Sequence, residues 1–594
     1  MSINGAFKKS INTLVFLNLL ILLVLPQLNN VHYDPLPQFW AEATVAYAII
    51  GLFVITCLCF KSIAIPKITI AVSLFALFLS LQQFVTHIDF VGLSYITAIE
   101  LFLCILLAIS TSSIIQEYGL SEFVSMLSVA LIVGAVLQSL IGLIQYTGTS
   151  HNFHGMIFYD SAHPTTDIFG HFGQRNHYCH YLSWAIFGLI YLHQKEKLKS
   201  VYFAPLLLWL IYSITIAASR SVFIYFFLAC VISALYYVKT LIQQSTSHKS
   251  SKQLFLTILI ASSLLVACEY IVPLLQHALT HHSAISSGLQ RIASGDDGSV
   301  TGRRFVEWQK AWMAFKLNPI FGYGLNEYAK QSIALQPLFP HAPLNDGLFT
   351  NCHNLILQLL AETGIIGTLI VCIGTVYAIY RIAKLNSIEG IIILCMLFTT
   401  IAHSMVEYPL WYFYFLAPFV MFLSIDSPLT TVKPGFITAI AIVPVAAIVY
   451  LLVSGSILFN VLVDYNDPPS EKADFVSQAQ YLNTLSTHNT LWEYPVFYTL
   501  DNYIEVDSAN TNAAFDLNTQ FNIENKFSNF HPYPDNLIKQ AKLNFNLGNK
   551  TEAKNLVHLA LVSYPVYQDS FMQSLRSKQH KYTALYRIAH NYRY

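Results

Sequence analysis

Charge is scarce in this chain. Only 11% of its 594 residues are Asp, Glu, Lys or Arg, 55% are hydrophobic, and the formal net charge is zero. So few charges cannot clothe a soluble protein of this length, so the composition points to a polytopic membrane protein. Blocks of Lys and Arg are missing as well. That removes the basic face needed to neutralise phosphate backbones, and with it a nucleic-acid partner. None of the nine cysteines lies beyond Cys395, and most sit in apolar runs where Cys acts as a small hydrophobe, so no disulfide framework is implied. The first apolar segment, behind Lys8 and Lys9, lacks a small-x-small cleavage site and reads as a retained signal anchor.

Long apolar runs are what the chain has instead. A bilayer crossing needs about 20 apolar residues. Thirteen stretches qualify, near 11–28, 42–60, 66–85, 92–112, 121–147, 177–193, 200–218, 221–238, 253–274, 351–380, 386–403, 409–425 and 435–460. With the N-terminus inside, the inner loops collect thirteen Lys and Arg and the short outer loops only Arg175 and Arg220, which fits the positive-inside bias. Loop 148–176, the long loop 275–350 and the C-terminal region then share the outer face. Charge density rises near Asp464, from 40 charged residues in 1–460 to 24 in the 134 positions that follow. The expected fold is therefore an all-α polytopic membrane protein in four parts: helices 1–9 over 1–274, a large outer loop over 275–350, helices 10–13 over 351–460, and an outer domain over 461–594. Within the tail, 537–565 has the spacing of a tetratricopeptide-like helix-turn-helix ending in Pro565. Binding an acceptor protein and simple structural capping both remain open as its role.

The polar clusters gather on the outer face. DIFGHFGQRNHYCHYL (167–182) packs His171, Gln174, Arg175, Asn176, His177 and His180 around the start of a span. A helix N-terminus beside an arginine can hold an anion; the plain alternative is a snorkelling arginine with histidines facing water. The histidines lack the carboxylate or thiolate companions of a zinc site. In AASRSVF (217–223), Arg220 sits at the edge of hydrocarbon, where an arginine either pairs with a neighbour or marks a ligand path, and a phosphate suits its guanidinium fork. In SGDDGSVTGRRFVEWQKAWMAFKLNPIFGYGLNEY (294–328), a flexible turn precedes a helix on which Trp308, Ala311, Trp312 and Phe315 form an apolar stripe. The stripe is expected to pack on the membrane surface or on other helices, and Arg303 and Arg304 are its ligand candidates.

TNCHNLILQLLAETG (350–364) sets His353 and Asn354 at the mouth of a leucine-rich helix. Glu362 lies nine residues on, about 13.5 Å deeper and on the opposite side, so it cannot orient His353. Gln358 and Glu362, four apart, read as helix-packing groups. HSMVEYPLWYFYFL (403–416) breaks a second pair of spans at Pro409 and brings His403, Glu407 and Tyr408 to the same depth as His353. Its aromatics suit an interfacial belt, which leaves Glu407 unexplained. Gln138 and Gln145 share one face of the fifth span, as helix-helix glue or as cavity lining, and Glu100 is an intramembrane carboxylate.

Taken in order, FGQRNHYCHYL, SRS, GRRFVEWQKAW with NPIFGYGLNEY, HNLILQLLAETGIIG and HSMVEYPLWY resemble the bacterial O-antigen ligase superfamily, and within it the PglL-type protein O-oligosaccharyltransferases. The resemblance runs from about Gln138 to the end. It implies transfer of a preassembled oligosaccharide from undecaprenyl diphosphate to Ser or Thr of periplasmic proteins such as pilin, at the inner membrane of a Gram-negative bacterium, without cofactor or metal. It implies an essential role for His353, functional roles for Gln174 and a tyrosine near Tyr408, and diphosphate binding by Arg220 and by Arg303 or Arg304. As chemistry, a neutral imidazole can take the proton of a serine hydroxyl, so His353 is the expected base, with Glu407 or Tyr408 orienting it or the acceptor. Arg175, Asn176, His177 and Asn354 complete the expected binding set. The competing readings are a lipid A core ligase or O-antigen polymerase within the same superfamily and, outside enzymes, a lipid-linked glycan transporter.

Overall fold

Apolar runs of this length leave the backbone no partner but itself, and helices follow. The computed structural model describes residues 3–280, 298–340, 342, 347–426, 428–507, 514–576 and 581–593. Each of the thirteen stretches coincides with a helix: Ile3–Val24, Phe39–Cys59, Ile68–Gln82, Val91–Tyr118, Leu120–Tyr146, Arg175–Gln194, Ser200–Ala217, Val222–Ile242, His248–Thr280, Leu355–Ala383, Ile388–Ser404, Phe413–Leu423 and Pro434–Asp464. Among the described residues, nine helices are long and apolar enough to cross a bilayer by length and composition, and three shorter apolar helices accompany them. The chain is an all-α polytopic membrane protein. Its two short strands, Ile63–Pro66 and Pro428–Val432, form one antiparallel ribbon.

Contacts between distant loops sort cleanly into two sets. Lys8 pairs with Glu117 at 3.2 Å, Lys197 with Glu122 at 3.0 Å and Arg381 with Asp426 at 3.1 Å. Those residues, like the ribbon, all come from loops read above as inner. The outer loops meet one another at the other end: Asn30 donates to the carbonyls of Gly155 and Met156, and Phe90 packs edge-on against Tyr494, Phe497 and Phe530 of the tail.

The long outer loop contributes helices Gly298–Leu317 and Tyr328–Leu335; the SGDD turn, 294–297, lies outside the described residues. Gly298–Leu317 packs on other helices through part of its stripe, Trp308 and Ala311, and buries charged groups beside it. Arg303, Glu307, Lys310, Ala311 and Ala314 are buried, whereas Trp312 is exposed and stacks on Phe315. Three charged groups can occupy that face because they satisfy one another. Glu307 pairs with Arg303 and Lys310, each at 3.0 Å, and accepts from the hydroxyls of Tyr328 and Ser332. Burial pushes the Glu307 carboxyl up, but Lys310 and Arg303 outweigh it and hold the group below its ordinary range.

The described part of the tail is built of helices and the turns between them. Helices Pro534–Asn546 and Lys550–Ser563 are joined at Gly548, whose φ of 91° belongs to glycine, so the 537–565 segment is the helix-turn-helix its spacing implies. Leu537, Ile538 and Ala541 share a core with Ile333, and Leu348 packs against it, which ties the tail to the loop preceding His353.

Candidate active site

Four chain segments meet around Glu407, one of them the Gly298–Leu317 helix that carries Arg304. The first is the turn at His353. Asn351 Oδ1 accepts the His353 backbone N–H at 2.8 Å, and His353 takes φ of 58°, a left-handed conformation that few side chains adopt. The turn is pinned at both ends: Gln358 accepts the Cys352 N–H at 2.8 Å, and Asn354 caps the Leu355–Ala383 helix by accepting from Leu357 N. Asn354 also donates to the Met405 carbonyl at 3.3 Å, joining this turn to the 403–408 break. Its amide was expected among the ligand-binding groups; both of its ends are used within the protein.

His353 Nδ1 lies 3.0 Å from the Asn351 carbonyl oxygen. A carbonyl can only accept, so Nδ1 carries the proton and Nε2 presents its lone pair. Nε2 faces Glu407 Oε2 at 3.6 Å, and that buried oxygen has no hydrogen-bond partner among the described residues. Burial lowers the imidazole's pKa below 6.5; the Glu407 charge opposes this and the Arg304 charge adds to it. The ring is therefore neutral at pH 7, with a carboxylate waiting behind its basic nitrogen. Tyr408 sits edge-on to the imidazole with ring centroids 5.1 Å apart.

The second segment is the break itself. Pro409 opens a short turn, Pro409–Trp411, that leaves Glu407 almost fully buried between spans. Oε1 of Glu407 accepts from Arg304 and, at 3.2 Å, from Asn176 Nδ2. The third segment is the start of Arg175–Gln194, which delivers Asn176; Ser219 donates to Asn176 Oδ1 at 2.7 Å and fixes its amide. Asn176 thus holds Glu407, and Ser219, in the SRS turn where the sequence assigned a role only to Arg220, is a further member of the site.

The remaining expected residues fall in three places. Gln174 occupies the N-cap position with a buried Oε1 that has no partner, and Arg220 is half-buried in the turn beside Ser219. Arg175 pairs with Asp167 at the surface. Arg303 is committed to Glu307 and also donates to Gln336, so of the two adjacent arginines it is Arg304 that reaches the Glu407 cluster. His177 is buried against His403, Tyr412 and Phe415, and His180 meets His403 Nδ1 to Nδ1 at 2.9 Å.

Support comes from pieces that looked weak in isolation. The Leu355–Ala383 helix breaks at Gly364 (φ 61°), and the GYG turn docks there: Tyr323 N donates to Ala361 O and Gly324 N to Glu362 O. A Cβ on Gly322 would come 2.3 Å from the Glu362 backbone, so only glycine allows this approach. Glu362 closes the joint by accepting from Gln358 and from Tyr328 N, far from His353 as helical geometry requires. Gln145 bonds backbone groups of 158–170, while Gln138 accepts from His171 N and donates to the Gln27 carbonyl, so the pair fixes the loop that leads into Arg175–Gln194 and ties it to the end of the first span. Glu100 lines an apolar groove shared with Leu355, Leu359, Leu410 and Trp411, a cavity of about 140 Å³ whose outer members adjoin Asn354 and Pro409 in sequence.

Three family models match the chain: O-Antigen ligase over 205–372, Virulence factor membrane-bound polymerase, C-terminal, over 391–579, and Protein glycosylation ligase over 168–193. The first spans Arg220, Arg304 and His353, the second Glu407 and most of the tail, and the third Gln174 and Asn176. Two curated proteins of Acinetobacter baylyi are similar. A general O-oligosaccharyltransferase is 26% identical over 290 residues, 48% of this chain and 47% of that protein. A ComP-specific O-oligosaccharyltransferase is 29% identical over 254 residues, 41% of each. The matches span less than half the length of either relative.

Proposed function

We propose that this chain, which belongs to the O-antigen ligase superfamily, transfers a preassembled oligosaccharide en bloc from undecaprenyl diphosphate to Ser or Thr hydroxyls of periplasmic proteins, pilin among them. The site and the tail face the periplasm from the inner membrane. The observation that carries the reading is the His353–Glu407 pair: an imidazole with its proton fixed on Nδ1, its Nε2 open, and a buried carboxylate oxygen without a partner 3.6 Å beyond. The protein-glycosylating acceptor is favoured by the likeness to two O-oligosaccharyltransferases and by the match over 168–193.

In the proposed reaction the acceptor oxygen attacks the anomeric carbon while its proton passes to His353 Nε2. The new N–H faces Glu407 Oε2, which gains the hydrogen bond it lacks and stabilises the imidazolium. The bond from the anomeric carbon to the diphosphate breaks, and the leaving diphosphate carries the negative charge. Arg304, Arg220 and Arg175 are its binding groups, with Gln174 Oε1 available to accept from sugar hydroxyls. One displacement inverts the anomeric centre. Arg304 leaves Glu407 to meet the diphosphate, so donor binding frees negative charge beside His353. The groove lined by Leu355, Leu410 and Trp411 supports a polyprenyl carrier, whose chain needs apolar cover next to the diphosphate.

The match to O-antigen ligase and polymerase models keeps one other acceptor in view, lipid A core or a growing O-chain. Mass spectrometry of periplasmic proteins and of lipopolysaccharide, with and without the chain, decides between them. Loss of glycosylated proteins with intact O-chains is expected; glycosylated proteins persisting while O-chains vanish would reverse the reading.

A further inference from the structure

The tail holds a cleft that none of this chemistry uses. It is a cavity of about 420 Å³ lined by the rings of Tyr498, Tyr533 and Tyr567 and by Asp535, Asn536 and Lys539. That volume lies within the range of small-molecule sites. Its chemistry is unlike the apolar groove beside His353, and three features narrow its ligand.

Acceptors exceed donors. The cleft's one lysine is occupied: Lys539 Nζ donates to Asp501 Oδ2 at 2.8 Å and to the Asp501 carbonyl at 3.1 Å. Asn536 Nδ2 donates to Glu524 at 3.0 Å, and Asn502 Nδ2 to the Asn466 carbonyl at 2.9 Å. What remains is the exposed Asp535 carboxylate, the amide oxygens and the tyrosine hydroxyls, which both donate and accept; the carboxylate favours a ligand rich in hydroxyl or amide donors over phosphate or carboxylate. Lys539 balances the charge of Asp501 through Oδ2, and the buried Oδ1, with no partner among the described residues, is one more acceptor. The lining also has no aliphatic pocket of the kind that anchors a peptide side chain, only Pro534 and the rings. A neutral molecule with hydroxyl edges and C–H faces meets all three conditions, because flat rings pack against C–H faces while acceptors take the hydroxyls.

Location points to the same ligand. Asn466 lies two residues past the end of the Pro434–Asp464 helix, so the cleft sits where the chain leaves the apolar bundle. Helix Pro534–Asn546 faces two ways: Asp535, Asn536 and Lys539 line the cleft, while Leu537, Ile538 and Ala541 share the core that receives Ile333 and Leu348. Leu348 is one residue from Phe349, whose ring lies 5.5 Å from that of His353. One helix therefore connects the cleft to the active-site turn.

We infer that this cleft is a saccharide-binding subsite that holds the distal sugars of the donor's glycan while its reducing end lies at His353. This rests on the function proposed above. The test uses the full-length protein in detergent and two donors: undecaprenyl diphosphate carrying the complete oligosaccharide, and the same carrier with a single sugar. Tyr533→Ala and Asp535→Ala are each expected to raise KM for the complete donor about ten-fold, the loss of one ring contact or one hydrogen bond, and KM for the single-sugar donor less than about two-fold. The lipid-free oligosaccharide, released from the donor by mild acid, is expected to bind the wild-type chain in saturation-transfer NMR and to lose binding in both variants. Equal KM changes for the two donors, or no binding of the free oligosaccharide to the wild type, would overturn the subsite. Absence of transfer from either donor would instead remove the proposed function, and the binding measurement still decides the cleft.

Discussion

Two buried glutamates, each paired with one of two adjacent arginines, make opposite use of the same chemistry. Glu307 is closed: Arg303, Lys310, Tyr328 and Ser332 all serve it, and both of its oxygens are taken. Glu407 is open: Arg304 and Asn176 serve one oxygen, and the other faces His353 with nothing bonded to it. A carboxylate fully satisfied by the protein holds structure together. One left half-satisfied beside a neutral imidazole stores a hydrogen bond that forms only when a proton arrives, and that is the property a general base's partner needs.

The sharpest way to break the comparison is at its two centres. His353→Gln removes the base and leaves the turn's backbone bonds, so turnover in vitro should fall roughly 10²- to 10⁴-fold with the thermal midpoint unchanged. Glu307→Ala should do the reverse. It strands Arg303 and Lys310 in a buried site at a cost of about 3–5 kcal/mol, read as a fall in thermal midpoint, and protein that stays folded should keep much of its turnover. If Glu307→Ala protein of normal midpoint were inactive, the division between closed and open sites would be wrong.

A pair of charge changes sharpens the open side. His353 must be neutral to act, so activity falls as pH drops through its pKa, which burial holds below 6.5 with Glu407 opposing and Arg304 assisting. Removing Arg304 removes a lowering influence: in Arg304→Gln the acid limb of kcat/KM should move to higher pH. Removing Glu407's charge acts the other way: in Glu407→Gln the limb should move to lower pH, with kcat reduced about 10- to 100-fold because the imidazolium loses its acceptor. Tyr408 and Glu307 also face this ring and are unchanged in both variants, so opposite shifts isolate the two charges. Shifts of one sign would mean that Arg304 and Glu407 do not both act on His353.

The fold was largely legible because the bilayer imposes helix on every apolar run, and the inner-loop pairs join residues that hydropathy and Lys/Arg counts had already grouped. The site was legible in part. Residue type and depth brought His353, Glu407 and Tyr408 together, and helical geometry excluded Glu362. Three things were not readable. Which of Arg303 and Arg304 reaches Glu407 depends on how the Gly298–Leu317 helix is rolled. Apolar periodicity places Trp308 and Ala311 on the packed side but gives no sign that Arg303, Glu307 and Lys310 are buried as well, because pairing offsets the cost of their burial. The parts of Asn354 and Asn176 depend on which backbone or side chain each amide meets across 51 and 231 residues of sequence. Ser219 carried no signal beyond its place before Arg220. His177, His180 and His403 resemble His353 by type, yet they are packed into an aromatic core, and only geometry separates them.

The smallest expected effect tests whether a helix cap is part of the chemistry. Asn354 and Ser387 are N-caps of the consecutive helices Leu355–Ala383 and Ile388–Ser404, accepting from Leu357 N and Gly390 N at 3.1 Å each. Replacing either with Ala should cost about 1 kcal/mol of stability, since each strands one backbone donor. Only Asn354 also donates to the Met405 carbonyl, so only its loss separates the His353 turn from the break that carries Glu407. A 3.6 Å gap that must close to a hydrogen bond during proton transfer tolerates little extra play. Asn354→Ala should therefore lower kcat by about ten-fold with KM for the acceptor little changed, while Ser387→Ala lowers the thermal midpoint equally and leaves kcat at the wild-type value. If the two variants behave alike in both measurements, Asn354 is a cap and nothing more, and the alignment of His353 with Glu407 is maintained by Gln358 and Asn351 alone.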